Sequence, residues 1–116
     1  MDIQVVKKSI NIDDLRRMAS AEFGDIVKAV VDVAQSIMAV GGELHADEEV
    51  LLIEQERSRR EDVWGINIYP GKSGTERLEF DSMVNLKPSF GNRSRDVESP
   101  EIKRKIREIV AQLIIE

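Results

Sequence analysis

The sequence predicts an α+β fold: an antiparallel sheet of about four to five strands with about three helices packed mainly on one face. Three observations predict it. VWGINIY (63–69) and LEFDSMVNLK (78–87) alternate across the loop PGKSGTE, as the arms of an antiparallel hairpin do. IVKAVVDVAQSIMAV (26–40) holds five valines within 14 residues, and such stiff β-branched side chains favour a pleated strand. The last segment places Ile102, Ile106, Ile109, Val110, Leu113 and Ile114 at helical spacing behind Ser99 and Pro100, a favoured helix start.

Taken in order, Ile3, Val5 and Val6 suggest a short opening strand. Asn11 caps a helix with Asp13 and Asp14 in its first turn, where the positive end of the helix dipole favours them. Leu15, Met18, Ala19 and Phe23 follow at helical spacing, and Gly24 ends the helix. In 26–40, apolar residues at 26, 27, 30, 33, 34, 37 and 38 would also fit a helix face. The valines favour two strands instead, with Ala34, Gln35 and Ser36 as the bend. Asp47 is expected to cap a short helix, with Glu48 and Glu49 in its first turn and Val50, Leu51 and Ile53 buried. ERSRRED (56–62) is a solvated loop of mixed charge.

In the predicted hairpin, Trp64, Ile66 and Ile68 face one way, and Val63, Gly65, Asn67 and Tyr69 face the other. Leu78, Phe80, Ser82, Val84 and Leu86 share one side of the second arm; Glu79, Asp81, Met83, Asn85 and Lys87 share the other. Lys103, Arg104, Lys105 and Arg107 lie off the apolar stripe of the last helix.

At 116 residues, the chain is expected to be one globular domain spanning 1–116. It lacks an apolar run of the roughly 20 residues that span a membrane, a secretory leader and cysteine, so a cytoplasmic location is expected. The net charge of −5 is uneven: residues 1–86 carry 10 basic and 17 acidic groups, whereas 87–107 carry 7 and 3. A basic patch of that size could hold an anion but does not predict nucleic-acid binding, which needs a basic stripe and a high pI.

Three constellations could carry chemistry. Glu43, His45 and Asp47 surround the only histidine; on an extended strand all three would share a face and could hold a divalent metal. The plainer alternative is a helix cap and a turn. Asn67, Tyr69, Glu79, Asp81 and Asn85 would form a polar array on the outer hairpin face. The wet face that an antiparallel sheet normally has is enough to explain such residues, and is the plainer alternative to a ligand surface. Asn92, Arg93 and Arg95 lie on a loop running into the last helix, where two guanidiniums suit a carboxylate or phosphate unless Asp96 and Glu98 pair with them. PGKSG is not a nucleotide-binding loop: the first glycine of that motif would fall at Ile66, and a strand rather than a helix follows.

GGELHADEEVLLIEQ, EDVWGINIYP and NLKPSFGNRSRDVESPEIKRKI together resemble a family of small bacterial and archaeal proteins known only as a domain of unknown function. The resemblance spans nearly the whole chain and implies a single-domain prokaryotic protein, with no catalytic residue to carry over. Two functions are therefore weighed. The first is a binding module for a small anionic ligand or a protein partner, using Asn67, Tyr69, Glu79, Asn85, Asn92, Arg93 and Arg95. The second is a metal-dependent, hydrolase-like enzyme using Glu43, His45 and Asp47, with a divalent metal as its cofactor. A homodimer is left open. If 26–40 is a hairpin, Glu43 and His45 should lie on the sheet beside Asn67 and Tyr69, uniting the two constellations; a helix there would separate them.

Overall fold

A computed structural model describes residues 2–116. A five-stranded antiparallel sheet has the order β1-β4-β3-β5-β6, built from β1 (Gln4–Val6), β3 (Val27–Asp32), β4 (Ile37–Val40), β5 (Val63–Ile68) and β6 (Leu78–Glu79). β2 (Ile10–Asn11) and β7 (Ile114–Ile115) form a small parallel pair. The helices are α1 (Ile12–Ala21), α2 (His45–Glu56) and α3 (Pro100–Leu113).

Residues 26–40 form the expected hairpin. Ser36, at φ 58°, sits in the bend, and Asp32 braces it by accepting from Ala34 N at 2.9 Å and Gln35 N at 3.0 Å. On one face of the sheet, Val27, Ala29 and Val31 join Trp64, Ile66 and Ile68 under α1 and α3, forming the main core. On the other, Val30, Ile37, Ala39 and Val63 pack against Leu52 of α2. Two of the three helices thus share a face. α1 begins as expected, with Asn11 Oδ1 accepting from Asp13 N at 2.8 Å, and α3 with Ser99 Oγ accepting from Ile102 N at 3.2 Å.

Two expectations need correction. α2 starts at His45, not after Asp47; its N-cap is Leu44, whose side chain makes no capping bond. Its inward residues are Glu48 and Leu52, while Val50 and Ile53 are exposed. Packing sets that orientation: Leu52 fills the second core, and Glu48 Oε2 accepts from Gly42 N at 2.9 Å.

The second hairpin arm is also shorter than its alternation suggests. Only Leu78 and Glu79 pair with β5; the chain then leaves the sheet, and Met83–Asn85 make a 3-10 turn capped by Ser82. Along the rest of the β5 edge, side chains replace backbone. Asn85 Oδ1 accepts from Gly65 N at 2.8 Å and its Nδ2 donates to Gly65 O at 3.0 Å. Lys87 Nζ donates to Val63 O. Asn85 and Lys87 therefore alternate because they face β5 and are buried, not because they continue a wet strand face.

Gly65 permits this close approach: a Cβ there would lie 2.5 Å from Ser82 Cβ. Gly65→Ala is expected to cost about 2 kcal/mol, as overpacking in a dense interior does, and to loosen residues 82–95. Urea unfolding would measure it; an unchanged midpoint would mean that the loop shifts freely.

Candidate functional site

A cleft of about 360 Å³ opens at the start of α2, between that helix and the 82–95 loop, lined by Lys28, Leu44, His45, Ala46, Glu49, Arg60, Ser82, Met83, Val84 and Arg95. Its geometry follows from the hairpin. β4 ends at Gly41 and Gly42, where a Cβ on Gly42 would come within 3.0 Å of Glu48 Cγ. The chain turns tightly there and α2 folds back over β5, which brings His45 to the sheet. His45 Nε2 lies 2.8 Å from Ile66 O. A carbonyl only accepts, so Nε2 carries the proton and Nδ1 is the free acceptor. Burial holds the imidazole below its ordinary 6.5, against the raising effects of the Ile66 bond and Asp81.

Cations dominate the walls. Arg60 pairs with Glu49 at 2.7 Å and Arg95 with Asp81 at 2.6 Å, whereas Lys28 has no ion-pair partner among the described residues. Lys28 Nζ instead lies 4.9 Å from the centre of the Phe23 ring. The first turn of α2 adds backbone N–H groups that no side chain caps, at the positive end of the helix dipole. Leu44 and Met83, 56% and 62% exposed, give the rim an apolar part.

The polar hairpin residues stand beside this cleft. Lys28 pairs in register with Asn67. Asn67 Nδ2 donates to Glu79 Oε1 at 2.8 Å, and Tyr69 OH donates to the same oxygen at 3.3 Å. Burial, reinforced by the charge of Glu79, raises the Tyr69 phenol above its ordinary pKa. Asn67 Oδ1 is buried without a partner among the described residues.

The residues singled out from sequence therefore separate. Asn67, Tyr69 and Glu79 form one cluster; Arg95 and His45 line the cleft. Asn85 and Asn92 are buried with their amides bonded to backbone. Arg93 is exposed on the loop, its backbone N–H donating to Glu98 Oε2 at 3.0 Å. Arg95 pairs with Asp81 rather than with Asp96, which meets Lys103 at 3.2 Å.

Glu43, His45 and Asp47 do not converge. Glu43 precedes α2, and residues two apart within a helix diverge by about 200°. Among the described residues no group of three His, Cys, Asp or Glu side chains could hold a metal. The divalent-metal arrangement required an extended strand, and α2 replaces it. Lys28, Arg60, Ser82 and Met83 were not anticipated. Lys28 could have been found by pairing 26–32 with 63–69; Arg60 gives no local signal, because only the tertiary fold brings it here.

Residues 4–113 match the family model described as a protein of unknown function, DUF5674. No curated protein and no solved structure matches the chain. No helix is long and apolar enough to cross a membrane among the described residues.

Proposed function

Because the chain belongs to that family of unknown function, the cleft itself has to supply the reading, and we propose that it binds a small anionic ligand. The carrying observation is the arrangement of Lys28, Arg60 and Arg95 around an α2 first turn that lacks a side-chain cap. Glu49 and Asp81 balance two of the three cations, and Lys28 remains as the uncompensated charge. Exposed backbone N–H groups at a helix start hold anions well, and a cleft of a few hundred Å³ suits a small molecule. Arg95 presents a planar donor fork, and Lys28 a point charge. Asn67, Tyr69 and Glu79 form a separate cluster beside the cleft and are not part of the proposed site.

Titration with inorganic phosphate, followed by amide NMR, tests the proposal. His45, Ala46 and the residues around Arg95 are expected to shift. Lys28→Ala and Arg95→Ala should each weaken binding about tenfold, the scale of one charged hydrogen bond, with unchanged circular dichroism. Absence of shifts at millimolar phosphate, or binding indifferent to both substitutions, would sink it.

A further inference from the structure

Resting on the anion-binding role proposed above, we infer that the cleft selects anions that also donate a hydrogen bond, such as a hydrogen phosphate group or a hydroxylated carboxylate. The hydrogen bond from His45 Nε2 to Ile66 O fixes the tautomer, leaving the imidazole one remaining polar atom, Nδ1, which can only accept. Nδ1 has no partner among the described residues, is not among the buried unsatisfied atoms, and belongs to a side chain lining the cleft. Lys28 from β3, together with Arg95 and Asp81 from the loop that closes the cleft, are the charged groups whose fields reach the ring. The two cations and the ring's burial favour the neutral form, so the acceptor persists at neutral pH.

An oxyanion without a proton places a lone pair against the Nδ1 lone pair. A hydroxyl on the same anion turns that repulsion into a bond, while the cations take the charge. Unpaired polar groups make such discrimination large, because a site built to accept a proton rejects the analogue that lacks one.

Phosphate against sulfate is the decisive comparison, since the two are nearly isosteric and sulfate lacks the proton at pH 7. Simple charge attraction would favour sulfate, which carries the full double charge. At pH 7 we expect phosphate to bind at least tenfold more tightly than sulfate. In a second arm, glycolate should bind more tightly than acetate or methoxyacetate. A phosphate preference without a glycolate preference assigns the donor to a phosphoryl group; the reverse assigns it to a hydroxy acid.

The single histidine allows a direct reading by ¹⁵N NMR of the wild-type imidazole, independent of whether any His45 variant folds. Nδ1 should be unprotonated in the free protein and should shift on phosphate addition, but not on sulfate. Equal affinity for phosphate and sulfate, and for glycolate and acetate, or a protonated Nδ1 in the free protein, would overturn the inference while leaving the anion site standing. Failure of every anion to bind removes both.

Discussion

Asn92→Ala should lower the unfolding free energy by about 4 kcal/mol, among the largest effects expected of a single polar truncation. Asn92 is 4% exposed, and its amide holds the whole 85–98 segment together. The two Nδ2 hydrogens are shared among Asn85 O at 2.7 Å, Asp96 O at 2.7 Å and, more weakly, Ser94 O at 3.1 Å, while Oδ1 accepts from Glu98 N at 2.9 Å. Alanine leaves those backbone groups without their partner, the Asn85 carbonyl in a buried position and the other three in part-buried ones. Each net bond is worth about 1 kcal/mol, and an orphaned buried group costs more. Asn92→Asp should be no better: it keeps an acceptor for Glu98 N but turns a second oxygen toward three carbonyls. Urea denaturation of both variants measures the effect. A loss below about 1 kcal/mol for alanine would mean that water replaces the amide without strain.

Glu48 gives the second large effect, and it depends on pH. The side chain is fully buried, and burial raises its pKa from 4.5 to about 9, outweighing the lowering effects of the Gly42 bond and Lys28. The folded chain therefore keeps a proton that the unfolded chain releases above about pH 4.5. This contribution to stability is complete below pH 4.5, declines as pH rises, and is exhausted above about 9. Glu48→Gln removes that slope. At pH 5 the variant should be the less stable form, because an amide places a second donor at the position of Oε1, which has no partner among the described residues. At pH 9 it should be more stable than the parent by about 2 kcal/mol, a conservative fraction of what the rise from 4.5 to about 9 implies at roughly 1.4 kcal/mol per pKa unit. Denaturation curves at pH 5, 7 and 9 should therefore cross. Parallel pH profiles would mean that Glu48 ionises freely in the folded protein.

The regular elements were legible wherever side chains repeat their environment. Asn11, Ser99 and the α3 stripe give local signals that tertiary packing does not override, and the valines of 27–33 correctly outweighed a competing helical period. α2 was harder because its buried positions are a glutamate and a single leucine, Glu48 and Leu52. A carboxylic acid turned inward carries no apolar signature, so Val50 and Ile53 drew attention to the wrong face. The 80–95 loop misled for another reason: Asn85 and Lys87 alternate as strand residues do, yet their side chains, not their backbones, pair with β5. At the site, the sequence singled out His45 and Arg95 but gave no local reason to join them to Lys28 and Arg60. Their meeting depends on long-range register and on the fold-back at Gly42. The hairpin in 26–40 brings His45 against the sheet, one strand residue from Asn67, but Glu43 stays exposed ahead of α2, so the expected union of Glu43 and His45 with Asn67 and Tyr69 is only partly formed.

The side-chain closure of the β5 edge also sets how the molecule breathes. Amide exchange at Gly65 need not await global unfolding, because its N–H is held by the Asn85 side chain and not by a neighbouring strand. Peeling back the 82–95 loop is enough to release it. That opening uncovers the apolar residues 63–66 of β5 with unpaired backbone along one side, beyond the part that β6 still pairs, which is the template on which chains add to one another and aggregate. The loop that shapes the cleft is thus also the guard of the sheet, and an anion gripped between Lys28 and Arg95 should slow Gly65 exchange and delay self-association together.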